Sequence, residues 1–358
     1  MWHRFHRRDL LIAGLAGVVA RAGRSLAWQP GGEQDVDERA DALDRLYTDA
    51  ARKSVGRGLD FLASRQQNDG SFGATGYAGN VAVTSLSAMA MMAAGSTPDR
   101  GPHGRAVAKF VDYALASCQQ SGFINGVTVS HGPMYDHGFA TLLLAEAHGM
   151  SRRRELREKL AKAVKIIVES QNRQGGWRYQ PVRAEADVSV TSCQMMALRA
   201  AKNAGVFVPK ETIVRAADYI RRCQNADGGF TYMQEGGESV FPRSAAAVVS
   251  LYNAGLEKDP NESPEIRRGL EYLAAYRPER GAKVRYSHYY YGHYYAVQAM
   301  WHAGQSHFPN WYAALRDDLV DRQSETGAWE DAFGQEYATA MATLALQMPK
   351  NSLPIFER

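Results

Sequence analysis

Two kinds of apolar pattern alternate along this 358-residue chain. In the first, apolar residues recur at three- and four-residue spacing among charged ones, as in 161–170, 213–223 and 266–276. That spacing predicts amphipathic helices with one face to water. In the second, residues 83–94, 139–148, 190–204, 244–254 and 294–303 are rich in Ala, Ser and Met and poorer in charge. A helix apolar on most sides is a buried one. Each stretch of the second kind runs into a glycine: Gly95, Gly149, Gly205, Gly255 and Gly304. Lacking a Cβ, glycine takes the left-handed conformation cheaply and ends a helix.

A repeated turn separates the two kinds. It reads Gln66-Gln67-Asn68-Asp69-Gly70-Ser71-Phe72, Gln171-Asn172-Arg173-Gln174-Gly175-Gly176-Trp177, Gln224-Asn225-Ala226-Asp227-Gly228-Gly229-Phe230 and Gln323-Ser324-Glu325-Thr326-Gly327-Ala328-Trp329. In each, Gly follows Gln by four positions and an aromatic follows that Gly by two. Gln119 heads a shortened copy ending in Gly122-Phe123, and Arg277 a degenerate one with Gly281 and Lys283. The heads at 66, 119, 171, 224, 277 and 323 are separated by 53, 52, 53, 53 and 46 residues. A fixed period in this range means stacked units, none able to bury its apolar face alone. Six outer–inner helix pairs predict an all-α, closed (α/α)6 ring as a single domain, its inner helices lining a central cavity. An open solenoid is the alternative, but it would leave uncapped ends. Residues 257–264 read as a surface loop between units.

These glutamine–glycine–aromatic turns resemble the repeats of the terpenoid cyclase and protein prenyltransferase α/α-toroid superfamily, most of all the bacterial prenyltransferase/squalene-oxidase repeat proteins. The resemblance spans roughly residues 50–348. It implies that Gln and the aromatic ring tie adjacent helix pairs together. The residue types suit that role: Gln can bond free backbone groups at a helix end, Gly permits the tight turn, and Trp or Phe supplies buried area.

The N-terminus carries a second signal. Arg7-Arg8 precedes the apolar run 10–20, and Ser25-Leu26-Ala27 offers small residues for cleavage before Trp28. The run is too short for a membrane span, and the pattern suits a twin-arginine signal peptide over residues 1–27. That predicts export to the periplasm or another extracytoplasmic space, with no stable membrane span once the leader is removed. Residues 28–50 read as a polar lead-in, 51–348 as the toroid and 349–358 as a C-terminal tail. Five Arg and one Asp give the leader +4, equal to the net charge of the whole chain, so the remainder is near neutral. Nothing in that balance points to nucleic acid. Cys118, Cys193 and Cys223 are odd in number and form no CxxC, which excludes a disulfide framework and a cysteine-rich zinc site. They read as small buried residues.

Chemistry is expected where the inner helices begin, because those ends converge on one mouth. There the repeat is interrupted by Tyr135-Asp136-His137-Gly138-Phe139, Glu185-Ala186-Asp187, Phe241-Pro242-Arg243, the run from His288 through Tyr291-Gly292-His293-Tyr294-Tyr295, and Gln335-Glu336-Tyr337. Asp136, His137, Asp187, His293 and Glu336 are the candidate acid–base groups. Tyr135, Phe139, Arg243, Tyr291, Tyr294 and Tyr337 are the candidate cavity wall. Capping is the competing role for the acids, since helix N-termini favour Asp and Glu.

The resemblance also supplies motifs to compare. Asp187-Val188-Ser189-Val190-Thr191 is the nearest match to the cyclase Asp-x-Asp-Asp motif, and both later acids are missing. The prenyltransferase Asp, Cys and His zinc ligands are not matched, because no Cys lies near Tyr291-Gly292-His293. Zinc held by His288, His293 and Asp136 is conceivable, but two His five apart do not share a helical face. No metal ligand set is therefore assigned. The expectation is a toroid that acts on or binds an isoprenoid or similar elongated apolar molecule. Non-catalytic binding of lipid, peptide or glycan, and glycan cleavage by an α/α-ring enzyme, are the alternatives.

Overall fold

The computed structural model describes residues 41–72, 77–126, 132–151, 153–281, 287–304, 306–350 and 352–357; the leader expected at 1–27 lies outside the described residues. Twelve helices build the ring: α1 (Asp49–Arg65), α2 (Val81–Ala93), α3 (Gly104–Ala116), α4 (Pro133–His148), α5 (Arg154–Ser170), α6 (Val188–Asn203), α7 (Lys210–Arg222), α8 (Phe241–Ala254), α9 (Pro264–Ala274), α10 (Tyr289–Ala303), α11 (His307–Arg322) and α12 (Gln335–Leu346). Residues 41–46 are helical as well. The even-numbered helices pack side by side from α2 round to α12, and α12 packs on α2. The ring is closed. The odd-numbered helices form an outer layer, and α1 joins it by packing on α12.

Burial follows the two apolar patterns. All residues of α2 are buried, whereas α9 buries only Ile266, Gly269, Leu270 and Leu273. The inner helices start earlier than their apolar stretches: α4 begins at Pro133 and α10 at Tyr289. Their polar and aromatic first turns are therefore helical rather than loop. Gly95, Gly205, Gly255 and Gly304 have positive φ as expected, but Gly149 has φ −67° and closes α4 in a right-handed turn. Cys193 and Cys223 are buried, while Cys118 is half-exposed, a departure from the buried role read for it.

The repeated turn works as a bracket. Gln171 Nε2 donates to Gly175 O of its own turn (2.8 Å) and to Thr212 O in the first turn of the next outer helix (2.9 Å). Gln224 does the same to Gly228 O and Glu265 O, and Gln66 to Gly70 O and Ala106 O. Gln323 reaches Gly327 O and Ser54 O of α1, both at 2.8 Å, which carries the bracket across the chain's two ends. The turn glycine lets the backbones meet: at Gly175 (φ +104°) an added Cβ would lie 2.2 Å from Arg215 O of α7. The indole N–H groups of Trp177 and Trp329 donate to Ile167 O and Leu319 O, and their amides to Thr191 Oγ1 and Thr339 Oγ1 of the following inner helix. Gln119 departs from the scheme, donating to Asn125 Oδ1 because its turn is one residue shorter. Lys283 of the degenerate turn lies outside the described residues.

No helix among the described residues is long and apolar enough to cross a membrane. The tail does not stand apart from the ring: Leu353, Ile355 and Phe356 are buried against it.

Gly205 also has positive φ (+81°) but open space around it. A left-handed L-residue costs roughly 1–2 kcal/mol, so Gly205→Ala should cost about that much. Gly175→Ala adds overlap with a backbone carbonyl and should lower Tm several degrees further. Equal Tm losses in thermal melts of the two variants would contradict the bracket geometry.

Candidate functional site

The inner helices alternate with outer ones and so run in the same sense, and residues near the N-termini of all six meet at one mouth. They enclose a cavity of about 330 Å³. Each inner helix supplies wall: Leu86 from α2, Tyr135 and Phe139 from α4, Ser189 from α6, Arg243 from α8, Tyr291 from α10, and Tyr337 with Met341 from α12. The mouth loops add Tyr77, Asn80, Tyr179, Tyr232, His288 and Phe333. Six tyrosines stand on this wall, and among the described residues no Asp or Glu does. The joining segments 73–76, 127–131 and 282–286 contain no Asp or Glu in their sequence either.

Five of the six expected wall residues are on it: Tyr135, Phe139, Arg243, Tyr291 and Tyr337. Tyr294 is not; it is fully buried beneath the wall, its ring 5.0 Å from that of Tyr295. The five candidate acid–base groups all lie off the wall. Asp136 accepts from Asn80 Nδ2 (3.0 Å), from the Ala82 amide at the start of α2 (3.3 Å) and from the Gly126 amide (3.2 Å). Burial raises its carboxyl to about 6 despite those three donors. His137 accepts from the Ile124 amide at Nδ1 (3.1 Å), which puts its proton on Nε2, 3.1 Å from Ala163 O. Both ring nitrogens serve backbone, and burial lowers the imidazole to about 4. Asp187 caps its own helix, accepting from the Val190 amide at 2.8 Å, and burial raises it to about 6.

His293 is boxed by the rings of Tyr289, Phe241 and Trp311 at 4.5, 5.0 and 5.7 Å, and burial lowers it to about 3. Glu336, in the first turn of α12, pairs with Arg65 at the end of α1 (3.1 Å). That pair suits both helix dipoles. His288, His293 and Asp136 do not assemble into a ligand set, and among the described residues no group of three or more His, Cys, Asp or Glu is placed to hold a metal.

The residues missed from the sequence sit in the mouth loops. Tyr179 and Tyr232 each lie two positions past a turn aromatic, 53 residues apart, and their hydroxyls are 2.6 Å apart. Arg178 lies over both rings and Arg243 over Tyr232. The Arg178 guanidinium pairs with Glu185. The Arg243 guanidinium instead donates to the carbonyls of Phe230 and Glu238. His288 stands in the left-handed region (φ 57°) with its ring stacked 5.0 Å from Phe333. A recurring tyrosine at one position of the repeat was the available signal.

Solved structures of the same shape are similar at low identity. A type II terpene cyclase from Scytonema, bound to geranylgeranyl dihydroxybenzoate, superposes with TM-score 0.60 at 14% identity, covering 89% of this chain and 100% of that one. A cellobiose 2-epimerase from Spirochaeta thermophila gives TM-score 0.64 at 13% identity over 87% of this chain and 98% of that one. A family 76 glycoside hydrolase (mannosidase) from Bacteroides thetaiotaomicron gives TM-score 0.63 at 9% identity over 85% and 99%. These likenesses show the fold. No curated protein matches the sequence. The prenyltransferase alpha-alpha toroid domain matches residues 39–283, more than half of the chain. The chain belongs to the prenyltransferase α/α-toroid family.

Proposed function

We propose that this toroid binds an isoprenoid or similarly elongated apolar molecule in its central cavity, and that it does so without Brønsted-acid cyclisation of that molecule. The observation that carries this reading is the wall: mostly aromatic and apolar, with Asn80, Ser189, Ser287, His288 and one Arg as its polar members and, among the described residues, no carboxylate. Protonating an alkene needs an acid within about 3 Å of the reacting carbon's path. Glycoside cleavage needs two carboxylates flanking the bond. The wall offers neither, since Ser189 stands on it while Asp187 of the same motif serves as a helix cap. Six phenol rings suit an apolar body. That a terpene cyclase of the same fold holds a geranylgeranyl compound supports the ligand class.

The mouth favours a polar, anionic head. A guanidinium has five N–H donors, and among the described residues Arg243 uses two on backbone carbonyls, so up to three could serve a ligand. Six helix N-termini add partial positive charge to the same place. We further propose that the protein works outside the cytoplasm, on the support of Arg7-Arg8 and the short apolar run behind it.

Four outcomes are expected. In binding titrations with geranylgeraniol and geranylgeranyl phosphate, Leu86→Trp should fill the cavity and abolish both affinities while the fold persists. Arg243→Gln should weaken the phosphate by at least tenfold relative to the alcohol, since a hydrogen bond to a charged group contributes about 1.5–3 kcal/mol. A wild-type protein that retains only sugars would overturn the reading. Asp136 has a folded pKa above its unfolded value, so its contribution to stability is present below about pH 4 and is lost as pH rises toward 6. Asp136→Asn should therefore flatten Tm against pH across that window and lower Tm, leaving ligand affinity within about twofold; a lost affinity at unchanged Tm would restore Asp136 as a site residue. Replacing Arg7 and Arg8 together with Lys should strand the protein in the cytoplasm, read by cell fractionation.

A further inference from the structure

The end of the ring opposite the cavity is closed by the chain's own C-terminus. After α12 the chain turns back beneath the inner helices, and residues 354–356 form a single 3-10 turn there. The turn is held to three inner helices at once. Trp301 Nε1 near the end of α10 donates to Phe356 O (2.8 Å). Asn203, the last residue of α6, donates to Pro354 O (3.4 Å). The Ile355 amide donates to Glu146 Oε1 in the last turn of α4 (3.1 Å). Helix α4 faces α10 across the ring, so the segment spans the opening rather than lining one side. Leu353, Ile355 and Phe356 are buried under it.

Glu146 is the odd member of this seam. It is buried to 3% exposure, and its second oxygen has no hydrogen-bond partner. The neighbouring ionisable groups are Glu357 on the tail and the Tyr294 phenol on α10, and among the described residues no Lys or Arg is paired with it. A carboxyl so placed is favoured neutral, because an unpaired buried charge is costly.

We propose that the C-terminal segment is a proton-latched plug, docked across the far end of the ring while Glu146 is protonated and loosened when Glu146 ionises. Ionisation puts a charge in an apolar seam beside the like-charged Glu357, and undocking returns both carboxylates to water. Burial holds the Glu146 carboxyl up at about 8, above the ordinary 4.5 it regains when the tail leaves. The sign follows: docking is strongest below about pH 4.5, weakens about tenfold per pH unit from there to about 8, and is flat beyond.

The test is hydrogen exchange of the full-length protein, following the peptide that contains residues 353–356 at pH 6 and pH 8 and correcting for the intrinsic exchange rate. Wild-type protection in that peptide should fall about 50-fold between the two, while inner-helix peptides hold theirs. Glu146→Gln keeps an acceptor for the Ile355 amide and cannot ionise, so its protection should not change with pH. Trp301→Phe removes one tie and should lower protection at both pH values with the wild-type slope. Wild-type protection that is independent of pH, or an equal fall in Glu146→Gln, would overturn the proposal. If Glu146→Gln does not fold, the wild-type and Trp301→Phe slopes decide alone.

Discussion

The structure depends on a hydrogen-bonded bracket that each repeat throws onto the next. A helix end leaves carbonyl and amide groups without intrahelical partners, and burying them unpaired costs free energy. Gln66, Gln171, Gln224 and Gln323 use one carboxamide to serve their own turn and the start of the next outer helix. The turn glycine is what permits the approach, since its missing Cβ would overlap the backbone three residues further along that helix. A row of such brackets fixes the angle between successive pairs. Together with the packing of the inner helices they bring the last pair onto the first, where Gln323 meets Ser54, and no pair is left with an uncovered apolar face.

Closure sets the chemistry of the mouth. Six helix N-termini point at one place, and each presents amides that need acceptors. Two acids near the mouth help meet that need, Asp187 with one oxygen on its own helix and Asp136 on the neighbouring one, while both nitrogens of His137 are taken by backbone groups. Glu336 is turned outward to Arg65. What remains on the wall among the described residues is mostly aromatic and apolar, with Arg243 held by carbonyls. The same ring carries a terpene cyclase, a sugar epimerase and a mannosidase in other chains. Function on such a scaffold is decided by the side chains left over after capping, not by the scaffold.

The two ends of the ring are built on opposite principles. At the mouth, loops of the repeat leave an open cavity lined by rings. At the far end, the non-repeating tail supplies what the repeat lacks, placing Leu353, Ile355 and Phe356 over the C-terminal ends of the inner helices. A closed ring of helices has two openings, and here each has a different fate.

Residue pattern by itself determined the all-α class, the six pairs, which helices are inner and which outer, and the position of every bracketed turn described. Those features rest on local spacing: a 3.6-residue period, a Gln–Gly–aromatic interval and a step near 53 residues. Five wall residues were also legible, because residues at the starts of inner helices must lie near the mouth. Which polar groups face the cavity was not legible. Successive helical residues point about 100° apart, and the partners of Asp136, His137 and Glu336 come from other units, 54, 26 and 271 residues away for Ala82, Ala163 and Arg65. Only the closed ring brings those orphan amides, carbonyls and cations within reach, so only the tertiary structure decided that Asp136 bonds the amides of a neighbouring helix start, that Glu336 pairs with Arg65, and that tyrosines and an arginine line the cavity.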